Sequence, residues 1–246
     1  MEDGPTPKPT AKRPRHDHYI HGNYPTYYNY RYTAAQSTGD EGDPRLILID
    51  KCLAESSCKG LAEHLSNALC LDIGCNTGTF AKDLVQKYKA RRVVGIDIDY
   101  QLVTKAIRAI PKELATSFGF TTEDYVALDS TIFRDRYNAI FCMSVTKWVH
   151  LNGGDSAIHR LFRRIYAELK SEGLFILEPQ EWSTYYRKKG IADHTARNYS
   201  KIELKPEEFP QYICSLGFSL ITTQDPLKTG PRGFQRKIYV FQKLAV

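Results

Sequence analysis

The chain has no apolar run that approaches the roughly 18–20 residues of a membrane-spanning helix, so an integral membrane protein is not expected. Its N-terminal residues are polar and rich in proline, unlike a secretory signal. The six cysteines include no Cys-x-x-Cys pair, a spacing common in zinc sites and redox dithiols. Cys70, Cys142 and Cys214 stand in apolar runs instead. We therefore expect reduced core thiols in an intracellular protein, without a zinc site.

Positive charge is concentrated in the last quarter of the chain. The 246 residues are 42% hydrophobic and 25% charged, which fits one good-sized globular domain. The formal net charge is +6, and from Trp182 onward eleven Lys or Arg oppose five Asp or Glu. This excess is either a solvated, mildly basic face or a surface for phosphates. Tyrosines interleaved with the charges favour nucleic acid; they are Tyr185, Tyr186, Tyr199 and Tyr239.

A strand, a glycine loop, a helix and a second strand follow one another between residues 68 and 97. The apolar run at 68–73 predicts a buried strand, which the sequence Leu-Cys-Leu-Asp-Ile-Gly-Cys-Asn-Thr-Gly (69–78) leads into a loop. Helical spacing predicts a helix over 78–88, and a second strand over 92–97 ends on Asp97. This order is typical of a doubly wound α/β domain that binds a nucleoside cofactor.

The loop favours S-adenosylmethionine over a nicotinamide dinucleotide. A dinucleotide fingerprint needs three glycines, whereas only Gly74 and Gly78 are present here. Asp72 precedes the first glycine by two residues, and an acid there suits a cationic amino-acid group better than a pyrophosphate. A nicotinamide oxidoreductase and a plain βα turn without ligand remain as alternatives. Asp72 and Asp97 at strand carboxyl ends favour a bound ligand, because open sheets bind ligands there.

The remaining pattern completes a predicted fold of the α/β class: a doubly wound, mostly parallel seven-stranded sheet. Its last two strands, joined by a Gly- and Pro-rich segment, predict a C-terminal antiparallel hairpin. The further predicted strands are 124–128, 138–145, 172–178, 218–223 and 237–243. The other predicted helices are 45–53, 100–109, 155–170 and 206–216, of which 206–216 begins with Pro206 in its first turn.

Three regions are expected along the chain. Residues 1–18, with four prolines and a short basic run, predict a disordered tail. Residues 19–45 predict an aromatic lid followed by a linker, because six tyrosines fall between positions 19 and 32. Residues 46–246 form the predicted catalytic domain. Such a density of aromatic side chains is expected to fold over an active site.

A second group of polar residues follows the predicted strand at 138–145. Lys147, His150, Asn152 and Asp155 fall within nine residues, beside Trp148. A structural histidine and a solvated lysine are the ordinary alternatives. A third loop, at 177–182, ends the next strand with acid, amide and aromatic groups. Because parallel strands share one carboxyl edge, we expect the three loops to converge on one crevice.

Five separated motifs in this order resemble the bicoid-interacting, or methylphosphate capping, RNA methyltransferases. The resemblance covers about residues 20–243. The motifs are the N-terminal Gly22-Asn-Tyr24 with Tyr27-Tyr28-Asn-Tyr30-Arg31, then Cys-Met-Ser-Val-Thr-Lys-Trp-Val-His-Leu-Asn (142–152), Phe-Arg-Arg-Ile-Tyr (162–166), Leu-Glu-Pro-Gln (177–180) and Gly-Phe-Gln-Arg (233–236). The resemblance implies a nuclear enzyme that methylates the γ-phosphate of an RNA 5′ end. The branch acting on 5′-monophosphates is less similar, because it lacks the Phe-Gln-Arg ending.

The resemblance also implies roles for individual residues. Cofactor contacts are implied at Arg31, Arg45, Gly74, Cys75, Asn76, Asp97, Ile98, Asp124, Tyr125 and Met143. Tyr27, Tyr28, Lys147 and His150 are implied to face the RNA 5′ triphosphate as catalytic residues. Asp124 replaces a frequent Asn and Gly153 a common Trp, which puts the adenine contact and the loop before Asp155 in question.

A small nuclear ribonucleoprotein is the implied setting. The family resemblance implies a small noncoding RNA as substrate and a La-related protein as companion on that RNA, with no membrane. The alternative from a different class is a largely non-catalytic RNA-binding subunit built on the same fold. The basic, aromatic C-terminal region would serve either function.

Overall fold

Seven strands form a single sheet in a computed structural model that describes residues 19–28, 42–56, 59–128, 132–225 and 235–245. The strands are β1 (Leu69–Ile73), β2 (Arg92–Asp97), β3 (Phe118–Thr122), β4 (Tyr137–Met143), β5 (Leu169–Glu178), β6 (Phe218–Gln224) and β7 (Ile238–Lys243). Their order is β3-β2-β1-β4-β5-β7-β6. The first five are parallel, and β7 pairs antiparallel with both β5 and β6. The predicted fold class and its C-terminal hairpin are confirmed.

Helices cover both faces of the sheet. They are α1 (Pro44–Glu55), α2 (Leu61–Leu65), α3 (Thr79–Gln86), α4 (Tyr100–Arg108), α5 (Thr146–Glu168), α6 (Asp193–Tyr199) and α7 (Phe209–Ser215). Three-residue to six-residue 3₁₀ turns lie at Lys112–Ser117, Trp182–Thr184 and Pro206–Glu208. Within the described ranges, no helix is both long and apolar enough to cross a membrane, and no metal-binding group of His, Cys, Asp or Glu is found.

Two apolar layers hold the sheet. On one face, Ile49 of α1 and Phe80 of α3 pack in one buried cluster with β1 and β4 side chains. On the other, Ile158 and Phe162 of α5 and Phe209 of α7 pack against the opposite face. Because both faces are covered, the central strands read as near-continuous apolar runs, which is why sequence patterns located them.

The predicted strand at 124–128 is wrong. The third strand is β3, at Phe118–Thr122, and it pairs with β2. The Glu123 backbone N–H donates to the Asp97 carbonyl at 3.0 Å, and Asp124 Oδ1 accepts the Val126 N–H at 3.0 Å. This side-chain hydrogen bond turns the chain out of the sheet, so residues 123–128 form a loop.

The helix predicted at 155–170 also differs. α5 begins at Thr146 and ends at Glu168, and it is broken at Gly154, whose φ of 64° and ψ of −168° are open mainly to glycine. Lys147 and His150 therefore lie in a helical segment that begins just after β4. The short helix α6 carries no apolar periodicity and was not predicted.

The expected regions fall only partly on described residues. Residues 1–18 and Arg31 lie outside the described ranges. Arg45, assigned above to the linker, belongs to α1, which Asp43 caps by accepting the Arg45 N–H at 2.9 Å. The division of the chain into tail, lid and catalytic domain stays a prediction.

Candidate active site

The glycine loop after β1 is tied to the acid that ends β2. Gly74 and Gly78 have φ of 75° and 76°, a region that favours glycine. Asp97 Oδ2 accepts the Asn76 backbone N–H at 2.8 Å, and Oδ1 accepts the Asp99 N–H at 3.0 Å. Burial raises the pKa of Asp97, and these N–H donors oppose the rise. The carboxylate thus holds the loop in shape while it lines the site.

A cavity of about 520 Å³ opens at the carboxyl edge of β1, β2 and β3. Its walls include predicted cofactor residues from three separate loops: Gly74, Asp97, Ile98, Asp124 and Tyr125. A smaller cavity of about 60 Å³ shares Gly74 and Asp97 with it. That cavity is also lined by Asn76, Tyr27, Tyr28 and Ser144. The structure therefore brings together eight residues that the sequence analysis assigned to the cofactor or to the RNA end.

Four other predicted cofactor residues lie behind these walls: Arg45, Asp72, Cys75 and Met143. Cys75 and Met143 are buried and line neither cavity. Arg45 is buried in ion pairs, 2.6 Å from Asp43 and 3.1 Å from Glu178. These contacts occupy its guanidinium within the protein, so Arg45 supports the site from beneath instead of lining it.

Asp72 carries a buried carboxylate oxygen without a hydrogen-bond partner among the described residues. Burial raises the pKa of Asp72 to about 7. The charge of Arg45 opposes this rise, and the nearby carboxylates of Asp97 and Asp43 add to it. An unsatisfied carboxylate of this kind is costly unless a donor or cation joins it. The ammonium group of a cofactor's amino-acid end is such a partner, so the residues present fit S-adenosylmethionine.

Cofactor affinity is expected to depend on pH through Asp72. The ammonium group of the ligand stabilises the ionised form of Asp72. The affinity for S-adenosylhomocysteine should therefore rise as the pH increases from 6 to 8, by at most about tenfold per pH unit below the pKa of Asp72. His21 also lines both cavities, and burial lowers its pKa, opposed by Asp124. Calorimetric titrations of the wild type and Asp72→Asn test this expectation. Equal slopes in the two proteins would contradict it.

Residues 19–28, called the lid segment below, cover both cavities. Asn152 Nδ2 donates to the Ile20 carbonyl at 2.9 Å, and Asn76 Nδ2 donates to the Tyr24 carbonyl at 3.2 Å. A side chain at Gly22 would overlap the Trp148 indole, so the backbone lies directly on that ring. Hydrogen bonds and close packing thus attach the lid segment to the loops that follow β1 and β4.

Lys147 and His150 take different positions in α5. Lys147 Nζ lies 3.3 Å from Thr184 Oγ1 and 5.1 Å from the centre of the Trp148 ring. His150 is fully buried, with Nε2 2.7 Å from Asp155 Oδ1 and Nδ1 3.4 Å from the Tyr185 hydroxyl. Burial lowers the pKa of His150, opposed by Asp155. Both ring nitrogens face protein groups, so His150 anchors the α5 segment and its implied phosphate contact is not supported by this geometry.

Sequence reasoning missed a polar network beneath the smaller cavity. Ser144, held at a φ of 64°, donates to Glu178 Oε1 at 2.7 Å. Arg236 Nη1 donates to the same oxygen at 2.9 Å and also contacts Ser144 Oγ. Glu178 and Arg236 stand in two of the motifs noted above, which were the available signal. Gln180 Oε1 accepts the Lys147 N–H at 3.0 Å, so the three loops do converge.

Comparison with known proteins agrees with this geometry. The sequence model of the Bicoid-interacting protein 3 (Bin3) family matches residues 137–243, and a methyltransferase-domain model matches residues 70–173. The U6 snRNA methylphosphate capping enzyme Amus of Drosophila melanogaster is 31% identical over 92% of this chain and 75% of its own length. The chain belongs to the Bin3 family of methylphosphate capping enzymes. Its resemblance to that family, predicted from five motifs, is confirmed.

Other relatives agree with the assignment to the Bin3 family. The 7SK snRNA methylphosphate capping enzyme of Mus musculus is 30% identical over 92% of this chain, which spans 41% of that enzyme. An S-adenosylmethionine-dependent methyltransferase from Mesorhizobium loti superposes with a TM-score of 0.55 at 14% identity, covering 73% of this chain and 93% of its own. This Bin3 chain is therefore a methyltransferase with S-adenosylmethionine as cofactor, and the nicotinamide alternative is wrong.

Proposed function

We propose that this Bin3-family chain transfers a methyl group from S-adenosylmethionine to the γ-phosphate of an RNA 5′ end. The observation that carries the proposal is the chemistry of the smaller cavity, which adjoins the cofactor cavity. Its lining includes Tyr27, Tyr28, Ser144 and Asn76, residues that carry hydroxyl or amide groups. Hydroxyl and amide donors suit the oxygens of a phosphate. Lys147 supplies positive charge on the helix that follows β4.

In this reaction the main task of the protein is to position the phosphate oxygen and the methyl group. S-adenosylmethionine supplies an electrophilic methyl group when it is bound. A terminal phosphate carries about −1.5 to −2 charge near pH 7, so its oxygen needs no general base. The protein must hold that oxygen about 3 Å from the methyl carbon and in line with it. In the proposal, Lys147, Tyr27 and Tyr28 orient the phosphates, while the lid segment excludes water.

The proposed substrate is a small noncoding nuclear RNA with an uncapped 5′ triphosphate. The basic C-terminal region supports contact with RNA beyond its end. Tyr186 is 64% exposed, and Lys189 Nζ lies 4.1 Å from its ring centre, an arrangement that suits base stacking beside a phosphate. A La-related protein in the same nuclear ribonucleoprotein is the proposed companion.

The position of the methyl group tests the proposal. Radiolabelled methyl transferred to a 5′-triphosphate RNA should be lost when the product's γ-phosphate is removed enzymatically. RNA reduced to a 5′-monophosphate before the assay should accept no label, because it lacks the acceptor oxygen. Label that stays on the RNA after γ-phosphate removal would instead indicate methylation of a base, a ribose or the α-phosphate.

A largely structural RNA-binding role is the second candidate, supported by the exposed Tyr186 and the half-buried Lys189 beside its ring. Cross-linking of the protein in cells, followed by sequencing of the bound RNA, separates the two functions. An Asp97→Ala variant that still recovers one noncoding RNA would favour the structural role. Loss of all RNA with that variant would favour a transient, purely catalytic enzyme.

A further inference from the structure

The loop at 123–128 forms one wall of the cofactor cavity although it belongs to no strand. Asp124, Tyr125, Val126 and Leu128 all line that cavity. Leu128, at the end of the loop, is 86% exposed. The Glu123 N–H still bonds to the Asp97 carbonyl of β2, but residues 124–128 lie beyond the strand pairing of β3, so other contacts must fix their shape.

Arg164 of α5 supplies several of those contacts. Its Nη1 donates to the Tyr125 carbonyl at 2.9 Å and to Glu123 Oε1 at 2.9 Å. The guanidinium carbon lies 3.9 Å from the centre of the Tyr125 ring, within cation–π distance. One buried side chain therefore binds the loop's backbone, its acid and its aromatic ring.

Glu168, one turn further along α5, completes the arrangement. Its Oε1 accepts from Arg164 Nε at 3.0 Å, and its Oε2 accepts from the Tyr125 hydroxyl at 2.9 Å. Arg160, one turn earlier, donates from Nε to the Val126 carbonyl at 3.0 Å. Both charges of the Arg164–Glu168 pair are buried, so the pair is costly unless its hydrogen bonds are made.

We propose that Arg164 and Glu168 are positioning residues that hold loop 123–128 in the shape that binds the adenosyl part of the cofactor. The assignment gives a function to the Phe-Arg-Arg-Ile-Tyr motif at 162–166. Within it, Phe162 and Ile165 pack in the core, Arg164 binds the loop, and Arg163 is exposed. The inference rests on cofactor binding and does not depend on which RNA is methylated.

Arg164→Lys tests the inference, because lysine keeps the charge and loses the planar fork that reaches several acceptors. The dissociation constant for S-adenosylhomocysteine, measured by calorimetry, should rise about tenfold, which corresponds to about 1.4 kcal/mol. The KM for S-adenosylmethionine should rise in parallel. The turnover number at saturating cofactor should stay within about threefold, since Arg164 lines neither cavity. Arg163→Lys, at the exposed neighbour, is the matched control and should leave all three values unchanged.

A second variant covers the case in which Arg164→Lys does not fold. Tyr125→Phe removes only the hydroxyl that donates to Glu168. This hydrogen bond acts on the cofactor only through the loop, so we expect a smaller effect than for Arg164→Lys, a loss of S-adenosylhomocysteine affinity of about threefold. Thermal unfolding of both variants without ligand is recorded alongside. A lower midpoint together with wild-type affinity would overturn the proposal, because the two residues would then stabilise the fold alone. A fall in turnover number at unchanged KM would overturn it as well.

Discussion

Replacement of Lys147 by alanine is expected to lower the turnover number for methyl transfer to RNA by about 10²-fold or more. This is the size found when a preorganised charge contact is removed from a site that excludes water. Lys147 is almost fully buried, so its ammonium acts where water screens it poorly. Single-turnover rates at saturating RNA and S-adenosylmethionine measure the effect without contributions from product release.

Two controls make the Lys147 result specific. Lys51→Ala removes an exposed lysine of α1, whose side chain is paired only loosely with Glu55 at 3.8 Å, and should keep the wild-type rate. Binding of S-adenosylhomocysteine to Lys147→Ala should stay close to wild type, because Lys147 does not line the cofactor cavity. Wild-type turnover in Lys147→Ala would show that the phosphates bind elsewhere.

Asp97→Ala is expected to abolish most cofactor binding, with a loss of affinity for S-adenosylhomocysteine of about 10²-fold or more. The substitution removes the acceptor of the Asn76 and Asp99 N–H groups together with a wall of both cavities. Each charged hydrogen bond of this kind contributes roughly 1.5–3 kcal/mol, and two or more are lost at once. Calorimetric titration measures the effect.

The matched control for Asp97 is Glu55→Ala, which removes an exposed acid far from the sheet's carboxyl edge. Circular dichroism of Asp97→Ala should show a folded protein, since the core clusters do not include Asp97. Wild-type affinity for S-adenosylhomocysteine in Asp97→Ala would show that the ribose binds to other groups. Preferential binding of NADH by the wild type would contradict the whole assignment of the cavity.

The part of the site formed by neighbouring residues was predictable from sequence. An apolar strand, a two-glycine loop and an acid after one helix are local signals, and the residues that they single out, Gly74 and Asp97, line both cavities. The third strand was misplaced because Tyr125, Val126 and Ala127 form an apolar run that sequence cannot distinguish from a strand. Phe118–Thr122 is an edge strand in which one residue is buried, two are half-buried and two are exposed, so its apolar pattern is weaker.

Long-range pairings set the limit of that prediction. Arg45 stands 133 residues from Glu178 in sequence, and their ion pair is formed only by the folded chain. The family resemblance named Arg45 as a cofactor contact, but no local pattern could show that Asp43 and Glu178 already hold its guanidinium. The same holds for His150, whose burial depends on Tyr185 and Phe209, both from segments that follow β5.

Asn76 bonds both to the lid segment and to the acid of β2, as Asp99 does through Asn23. Asn76 forms the link from within the glycine loop. Its side chain donates to the Tyr24 carbonyl, and its backbone N–H donates to Asp97. The cofactor loop and the lid segment therefore cannot move independently of each other. Any ligand that favours the present position of the lid segment must strengthen cofactor binding, and the cofactor must strengthen that ligand's binding by the same factor. We therefore expect RNA and cofactor to act as heterotropic effectors of one another.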